Sequence, residues 1–206
     1  MPDSEIASVL VPYGVTADQE LCGKIRKYTS ILLKWNKLVS LTTIVEPRDI
    51  LRFHFGESFF AVAAAKIGES RLADVGSGAG FPGLPLKITI PSIDLVLIES
   101  NTKKCAFLSE VIRRLGLSGV EVLRGRMDDF QSSPRPFDFI TARALGNHSE
   151  LLKWSRRSLA PRGRLVLWLG EKDADEISRI KNWNWKFRTL IPGSKRRYIL
   201  VGIPAV

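Results

Sequence analysis

The sequence contains little cysteine and little histidine. Only two cysteines, Cys22 and Cys105, and two histidines, His54 and His148, occur among 206 residues. The cysteines are far apart, so they form neither the close pair of a zinc site nor a disulfide framework. Two histidines are too few for a histidine-based metal centre. We therefore expect no metal site and no disulfide framework in this protein.

Long apolar segments are also missing. No run approaches the roughly 20 apolar residues that a membrane-spanning helix needs. The first five residues are polar and include two acids, unlike the basic and apolar start of a signal peptide. These absences predict a soluble, cytoplasmic protein without membrane contact. The length suits one sizeable domain, which we expect to be a monomer, and a hydrophobic content of 45% is enough for a core.

Acidic residues are outnumbered by basic ones. Lysine and arginine total 31 against 21 aspartates and glutamates, so the formal net charge is +10. A basic surface is either simply solvated or binds a polyanion, most often a nucleic acid. The basic residues are spread in short groups, which is typical of a broad face over a phosphate backbone rather than of a disordered tail. These groups are Lys103-Lys104, Arg113-Arg114, Arg156-Arg157 and Lys195-Arg196-Arg197.

The sequence pattern changes near residue 70. Residues 1–70 have apolar side chains at helical spacing, over Glu20–Leu33 and again over Asp49–Ala65. Residues 71–206 alternate short apolar runs with amphipathic stretches, which predicts a mostly parallel sheet with helices on both faces. We therefore predict an α/β domain at 71–206, packed as one unit with an N-terminal helical extension at 1–70. The predicted strands are Arg71–Val75, Ile93–Ile98, Val120–Arg124, Phe137–Thr141 and Arg164–Leu169, followed by an antiparallel pair at Trp185–Leu190 and Arg197–Ile203.

The most informative stretch follows the first predicted strand. Asp74 lies at the end of that strand, and glycines follow at positions 76, 78, 80 and 83. A strand, a glycine-rich turn and a helix hold nucleotide-like ligands at the carboxyl edge of α/β sheets. The glycines fit two different sequence motifs, each of which we call a frame. Residues 78–83 match the GxGxxG of dinucleotide enzymes, and residues 74–80 place an acid before GxGxG.

The acid favours the second frame. A dinucleotide turn places a pyrophosphate at a helix N-terminus, and Asp74 would repel that pyrophosphate. S-adenosylmethionine has no phosphate and carries a sulfonium and an ammonium, which a carboxylate attracts. We therefore favour S-adenosylmethionine as the cofactor over a nicotinamide dinucleotide and over a purely structural turn. In this interpretation Gly76, Ser77, Gly78 and Gly80 form the cofactor turn.

Two later strand ends supply further cofactor contacts. Glu99 ends the second strand, where an acid binds ribose hydroxyls in both schemes. Asp128 follows the third strand and is placed to bond the adenine amino group while Met127 packs against the ring. Ligands of such sheets bind outside the carboxyl ends of the strands. We therefore predict a class I adenosylmethionine-dependent methyltransferase fold, which is Rossmann-like, with a mostly parallel seven-stranded sheet and an antiparallel last strand.

Several segments are more specific than this general pattern. The strongest are Asp74-Val75-Gly76-Ser77-Gly78-Ala79-Gly80-Phe81-Pro82-Gly83-Leu84-Pro85 and the later Ala142-Arg143-Ala144. Others are Trp35-Asn36, Leu41-Thr42, His54 with Ser58, Lys103-Lys104, Phe107-Leu108, Arg126-Met127-Asp128 and Phe137-Asp138. With these segments the chain resembles, over nearly its whole length, the glucose-inhibited division protein B family of small-subunit ribosomal RNA methyltransferases G.

The resemblance implies an enzyme that methylates N7 of a guanine in 16S ribosomal RNA, using S-adenosylmethionine, with small-subunit RNA or the 30S subunit as its partner. It implies that the cofactor contacts Gly76, Phe81, Met127, Asp128 and Arg143. The chain also departs from the family pattern. Ser40 stands where the family usually has asparagine, Phe53 where it has arginine, Glu57 where it has aspartate and Leu169 where it has lysine.

The chemistry of guanine N7 requires no general base. N7 carries a lone pair and no proton, so it can attack the cofactor methyl directly, and catalysis then comes from alignment and desolvation. Arginine often binds guanine O6 and N7 together, but here N7 must stay free. We therefore assign positioning roles to two arginines. Arg143 binds the cofactor carboxylate or lies beside the base, and Arg126 binds a phosphate or guanine O6.

Several residues are candidates for contact with RNA. Lys34 and Lys37 lie in a basic and aromatic segment that suits a nucleic acid. His54 is either a packed residue or a substrate contact. The full set of candidates is Lys34, Lys37, His54, Arg126 and Arg197. Two alternative functions stay open, a non-catalytic RNA-binding or ribosome-assembly protein on a methyltransferase fold, and a nicotinamide oxidoreductase.

Overall fold

A sheet of seven strands organises the computed structural model, which describes residues 1–130, 135–144 and 146–205. The strands are β1 (Arg71–Val75), β2 (Asp94–Glu99), β3 (Val120–Arg124), β4 (Phe137–Arg143), β5 (Leu159–Gly170), β6 (Trp183–Leu190) and β7 (Arg197–Pro204). Their order across the sheet is β3-β2-β1-β4-β5-β7-β6. The strands β1 to β5 run parallel, and β7 is antiparallel to both β5 and β6. This arrangement confirms the predicted fold class.

Helices connect and cover these strands. They are α1 (Asp3–Leu10), α2 (Gln19–Asn36), α3 (Pro47–Ile50), α4 (Glu57–Ala65), α5 (Gly83–Thr89), α6 (Thr102–Leu115), α7 (His148–Ser158) and α8 (Glu171–Ser178). The helix predicted from Glu20 lies within α2, which begins after Asp18 because the Asp18 carboxylate accepts the Leu21 N–H at 2.8 Å. Across the described parts of the chain, no helix combines the length and the apolar character needed to cross a membrane.

The second predicted helix is not a regular α-helix. The sequence predicts a single helix from residue 49 to residue 65, but Leu51–Gly56 form a π-helical segment that joins α3 to α4. Such segments are rare and occur often at functional sites. Gly56 lies against the ring of Tyr13, and a Cβ on this glycine would be only 2.6 Å from the ring Cε2 atom. The N-terminal part of the chain therefore packs tightly against the π-helical segment.

Both faces of the sheet are covered, and the two faces have different helices. Ile25 of α2, Phe55 of the π-helical segment and Phe107 of α6 form one hydrophobic cluster with Leu72 of β1. Ala73, the next residue of β1, belongs to a second cluster that includes side chains of α7 and α8. The helices before residue 70 thus share a core with the sheet. A boundary between two units at residue 70 stays a prediction.

The carboxyl ends of the parallel strands lie together along one edge of the sheet. Val75 at the end of β1 is aligned with Ile98 of β2 on one side and with Ala142 of β4 on the other. The neighbouring residues Asp74, Glu99 and Arg143 therefore reach the same edge. This edge brings together residues that are far apart in the sequence, and ligands of α/β sheets bind there.

Candidate functional site

The glycine-rich turn leaves β1 and leads to α5. Gly76, Gly78 and Gly80 all have positive φ, at 71°, 55° and 83°, a conformation that side chains disfavour. The N–H groups of Gly76 and Ser77 donate to the carbonyl of Ile98 at 2.9 and 3.1 Å. At Gly80 a Cβ would also lie 2.6 Å from Leu84 Cδ1. The turn is therefore held against β2 and has no room for a side chain at its third glycine.

Asp74 lies beneath this turn and is only 1% exposed. One carboxylate oxygen accepts the hydroxyl of Thr141 at 2.7 Å, and the other accepts the N–H of Gly83 at 3.3 Å. Burial raises the pKa of Asp74 to about 7, although the hydrogen bonds and the positive charge of Arg143 oppose the shift. Asp74 thus joins β1, β4 and the start of α5. Its direct attraction for a cofactor cation stays a prediction.

A cavity of about 220 Å³ opens where β1, β2 and β3 end, and we call it the Met127 cavity. Met127 is buried and Asp128 is exposed, both on a 3₁₀ turn that spans Met127–Asp129. Glu99 accepts the N–H of Gly78 at 2.9 Å and the N–H of Asn101 at 2.8 Å, one on each carboxylate oxygen. The lining residues are Val75, Gly76, Ile98, Glu99, Ser100, Gly125, Arg126, Met127, Asp128, Asn147 and Glu150.

A group of ionisable side chains lies at the end of β4, and we call His54, Glu57, Arg143 and Arg197 the arginine cluster. The Nη2 atom of Arg143 donates to His54 Nδ1 at 3.2 Å and lies 3.7 Å from Glu57 Oε2. The other carboxylate oxygen of Glu57 lies 2.7 Å from Arg197 Nη2. Nη1 of Arg143 is buried and makes no hydrogen bond within the described residues. Glu57 Oε1 likewise has no hydrogen bond within the described residues, but it has the ion-pair contact with Arg197, whereas Nη1 of Arg143 has neither.

His54 is neutral in this environment. Burial and the charge of Arg143 lower the pKa of His54 to about 3. Arginine can only donate hydrogen bonds, so Nδ1 is the acceptor and Nε2 carries the proton. The Nε2 atom lies 2.8 Å from the hydroxyl oxygen of Thr42, which accepts that proton's hydrogen bond. Both ring nitrogens therefore have partners inside the protein.

Aromatic rings connect the arginine cluster to the glycine-rich turn. The ring of Phe81 stacks on the His54 ring at a centroid distance of 4.7 Å and on the Tyr28 ring at 5.2 Å. The hydroxyl of Tyr28 donates to the carbonyl of Ala79 at 2.6 Å. A residue of α2 and a residue of the π-helical segment therefore fix the turn from the side opposite to the strands.

Glu57 is the buried acid of the arginine cluster and is 2% exposed. Burial raises the pKa of Glu57, while the charges of Arg143 and Arg197 oppose that shift. Burial likewise lowers the pKa of Arg143, and the negative charge of Glu57 opposes this. A carboxylate between two guanidinium groups satisfies the main requirement of a buried charge, which is to be paired. The ion pairs therefore offset part of the cost of burying these charges.

Two further cavities meet at Arg143. The first, of about 590 Å³, opens at the ends of β4 and β5. The second, of about 530 Å³, opens under the loop at residues 40–44. The first is lined by Glu57, Arg143, Ala144, Gly146, His148, Trp168, Leu169, Gly170, Asp173, Glu176, Ile191 and Arg197. The second is lined by Asn36, Ser40, Leu41, Thr42, Thr43, Ile44, His54 and Arg143.

The candidate residues from the sequence fall into four places. The glycine-rich turn and its base contain Asp74, Ser77, Gly78 and Gly80. Gly76, Glu99, Arg126, Met127 and Asp128 surround the Met127 cavity. His54, Arg143 and Arg197 meet in the arginine cluster, which Phe81 contacts through His54. Lys34 and Lys37 are exposed at the end of α2. Arg126 and Arg143, which the sequence pairs as positioning residues, therefore line different cavities.

Sequence reasoning did not assign a role to several residues of the site. Glu57 was noted only as a departure from a family pattern, although an acid amid the apolar residues of α4 is itself a signal of a buried pair. Thr141 gave no signal, because its partner Asp74 is 67 positions away. Leu169 is buried, and the cation at this end of β5 is Arg197, which lies opposite Gly170 in the antiparallel pairing. In the described ranges, no three His, Cys, Asp or Glu residues converge as metal ligands would.

The chain matches known proteins over most of its length. The family model described as rRNA small subunit methyltransferase G matches residues 21–191. The Ribosomal RNA small subunit methyltransferase G of Mycoplasma capricolum is 36% identical over 171 residues, covering 83% of this chain and 74% of that protein. The protein of the same name from Leuconostoc mesenteroides is 30% identical over 215 residues, covering 98% and 90%.

Solved structures share the fold at low identity. The ribosomal protein L11 methylase of Lactobacillus delbrueckii superposes with a TM-score of 0.62 and 14% identity, over 75% of this chain and 80% of that chain. The glycopeptide N-methyltransferase MtfA, complexed with S-adenosyl-L-methionine, gives a TM-score of 0.62 and 12% identity, over 74% and 88%. At such identities these likenesses concern the fold alone.

Proposed function

This chain belongs to the rRNA small subunit methyltransferase G family, and on that basis we propose that it is an S-adenosylmethionine-dependent methyltransferase that acts on N7 of a guanine in 16S ribosomal RNA. The observation that carries the proposal is the family match over residues 21–191, which includes the Met127 cavity and, of the arginine cluster, His54, Glu57 and Arg143. The two fold neighbours described above are a methylase and a methyltransferase by name. A non-catalytic RNA-binding role is the second candidate, and the net charge of +10 suits both.

The residues at the sheet edge fit S-adenosylmethionine. The Met127 cavity combines the apolar side chain of Met127 with the acceptors Glu99 and Asp128, which suits an adenosine. Each oxygen of Glu99 accepts a single backbone N–H and has a further lone pair for a ribose hydroxyl. The unpaired Nη1 of Arg143 is the donor that a carboxylate requires. A nicotinamide dinucleotide is disfavoured because Asp74 lies where its pyrophosphate would bind.

We assign orienting roles, not proton transfer, to the residues of this site. When bound, the cofactor supplies a methyl group on a sulfonium, and guanine N7 has a lone pair with no proton to remove. His54 is unsuited to act as a base, since its pKa is about 3 and both of its nitrogens have partners. The glycine-rich turn, which Asp74 and Phe81 fix in place, holds the cofactor. Arg143 orients the cofactor carboxylate from the arginine cluster.

We place the target guanine in the cavity of about 590 Å³ at the ends of β4 and β5. A donor at this cavity besides Arg143 is the guanidinium group of Arg197, which suits O6 and leaves N7 free. Arg126, exposed at the Met127 cavity, suits a neighbouring phosphate. Lys34 and Lys37 extend the contact with RNA. Because one chain carries every element of this site, we propose a monomer that acts in the cytoplasm on the 30S subunit or its RNA.

Calorimetric titration and methyl transfer test the proposal in two stages. First, the protein is titrated with S-adenosylmethionine, S-adenosylhomocysteine and NAD. Binding of NAD alone would contradict the cofactor assignment. Second, labelled S-adenosylmethionine is incubated with 30S subunits and with bare 16S RNA, and the digested nucleosides are identified by mass spectrometry. We expect N7-methylguanosine. Cofactor binding without label in either RNA would favour the non-catalytic role.

A further inference from the structure

Glu57 occupies an unusual position for an acid. It is almost completely buried, yet it lies in the first turn of α4 among apolar side chains. Its backbone carbonyl accepts the indole N–H of Trp168 at 2.9 Å, which ties α4 to β5. The preceding π-helical segment places His54 and Glu57 beside the same guanidinium group. Backbone and side chain of Glu57 are therefore both fixed at the sheet edge.

The contacts of Glu57 determine how Arg143 is oriented. A guanidinium group is planar, so fixing one of its nitrogens to two acceptors fixes the directions of the others. Nη2 of Arg143 is the atom that faces both His54 and Glu57. Nη1 is buried and has no hydrogen-bond partner in the described structure, and Arg143 as a residue lines both of the larger cavities. His54 contributes no charge, so Glu57 is the anion that holds this orientation.

Arg197 completes the arrangement. Its Nη2 atom lies 2.7 Å from the second carboxylate oxygen of Glu57, and its guanidinium carbon lies over the ring of Phe53, 4.7 Å from the ring centroid. Arg197 thereby fixes the carboxylate of Glu57 from the side opposite to Arg143. Arg197 holds the carboxylate of Glu57, and this carboxylate orients Arg143. Glu57 therefore acts indirectly, through Arg143.

We propose that Glu57 is the positioning residue of this site, which orients Arg143 so that Nη1 meets the carboxylate of the amino-acid end of S-adenosylmethionine. The inference rests on the proposed function for its choice of cofactor. It assigns Glu57 no contact with the reacting atoms. It predicts that Glu57 contributes to the recognition of the amino-acid end of the ligand and not to recognition of the adenosine, which the Met127 cavity binds.

Two ligands that differ in the amino-acid end test this division. S-adenosylhomocysteine has the carboxylate, and 5′-methylthioadenosine has the same adenosine and sulfur without it. We expect Glu57→Gln to raise the Kd for S-adenosylhomocysteine about tenfold, which is typical of coupled residues in contact, and to leave the Kd for 5′-methylthioadenosine unchanged. We expect Glu57→Asp, which keeps the charge, to recover most of the affinity. Calorimetric titration measures both.

The controls separate positioning from folding. Glu20→Gln alters an exposed acid that pairs with Lys24 and lines neither the Met127 cavity nor the two cavities at Arg143, and it should change neither Kd. In an Arg143→Lys background, Glu57→Gln should add no further loss for S-adenosylhomocysteine. Equal weakening of both ligands by Glu57→Gln would show a merely structural role, and an unchanged Kd for both would also overturn the inference. Failure of the unaltered protein to bind S-adenosylhomocysteine would overturn the proposed function together with it.

Discussion

The Met127 cavity and the arginine cluster lie at the same sheet edge but are built in different ways. The cavity takes its residues from positions 75–150, mostly at the ends of consecutive strands, and its polar contacts are largely with backbone N–H groups. The arginine cluster takes His54 and Glu57 from the N-terminal helices, Arg143 from β4 and Arg197 from β7. The residues of the Met127 cavity can be recognised from the local sequence around strand ends. The residues of the arginine cluster come together only through tertiary packing.

The two regions also differ in how they respond to damage. When a hydrogen bond at an open cavity is lost, its donor and acceptor bond to water instead. The net contribution of such a bond to the free energy is therefore modest. Removal of one member of a buried charge group leaves the others uncompensated, which is costly. We therefore expect substitutions in the arginine cluster to have larger effects than substitutions around the Met127 cavity, and the experiments below measure that difference.

The largest effect is expected for Arg143. Arg143→Ala should lower the rate of methyl transfer by about 10²–10³-fold, as loss of one preorganised donor does in other active sites. Arg143→Lys should restore little of this rate, because a lysine side chain lacks the planar, forked set of donors that a guanidinium group has. Arg126→Ala should mainly raise the KM for RNA and leave kcat nearly unchanged, because Arg126 lines the other cavity. Single-turnover transfer to 30S subunits measures both, and an equal fall in kcat for the two arginines would remove the distinction.

The glycine-rich turn between the two regions should be the next most sensitive element. Gly80→Ala combines positive φ with a Cβ that would lie 2.6 Å from Leu84, and we expect a loss of about 3 kcal/mol in the free energy of unfolding. Gly78→Ala has positive φ but no atom nearer than 3.7 Å, so about 1 kcal/mol is expected. Urea unfolding of the two variants gives the comparison. Similar losses would mean that contact with the N-terminal helices does not constrain the turn.

The pH dependence of stability should distinguish two buried groups on either side of Phe81. Between pH 7 and pH 5 the unfolded chain protonates its histidine, whereas folded His54, with a pKa of about 3, stays neutral. This lowers stability as the pH falls. Folded Asp74, with a pKa of about 7, takes up a proton over the same range while the unfolded carboxyl does not, which raises stability. Each effect changes the free energy of unfolding by about 2 kcal/mol between pH 7 and pH 5. Because the two effects have opposite signs, they nearly cancel.

Single variants should expose the two opposing effects. Relative to the unaltered protein, His54→Gln should gain stability on going from pH 7 to pH 5, and Asp74→Asn should lose it. Urea unfolding at the two pH values measures the change in each protein, and groups common to all three proteins do not affect the differences. The same direction of change in both variants would contradict the assignment of the pKa values.

The smallest effect is expected at the Met127 cavity. Asp128→Ala should raise the Kd for S-adenosylhomocysteine about fivefold, the equivalent of one hydrogen bond of about 1 kcal/mol. Glu121→Gln is a suitable control, because Glu121 is an exposed acid of the nearby strand β3 and does not line the cavity. Calorimetric titration provides the Kd values. A loss for Asp128→Ala as large as that for Arg143→Ala would show that the two regions are equally sensitive.

The same contrast explains how much could be predicted from the sequence. The mostly parallel, seven-stranded sheet follows from apolar runs. The candidates Glu99, Met127 and Asp128, which line the Met127 cavity, follow from their positions at strand ends, and both kinds of signal are local. The π-helical segment was missed, because its residues have the same apolar spacing as an α-helix. The pairing of Glu57 with Arg143 and Arg197 was also missed, since no sequence pattern links positions that meet only through tertiary packing.

The stacked rings of Tyr28, Phe81 and His54 have a consequence for dynamics. Tyr28 lies in α2, yet its hydroxyl is bonded to the carbonyl of Ala79 in the glycine-rich turn. Occupation of the turn by a ligand should therefore slow amide hydrogen exchange in α2, a helix that lines neither the Met127 cavity nor the larger cavity at β4 and β5. The N-terminal helices therefore respond to ligand binding at the glycine-rich turn. Amide protection factors along α2 would reveal cofactor binding even though α2 does not line the Met127 cavity.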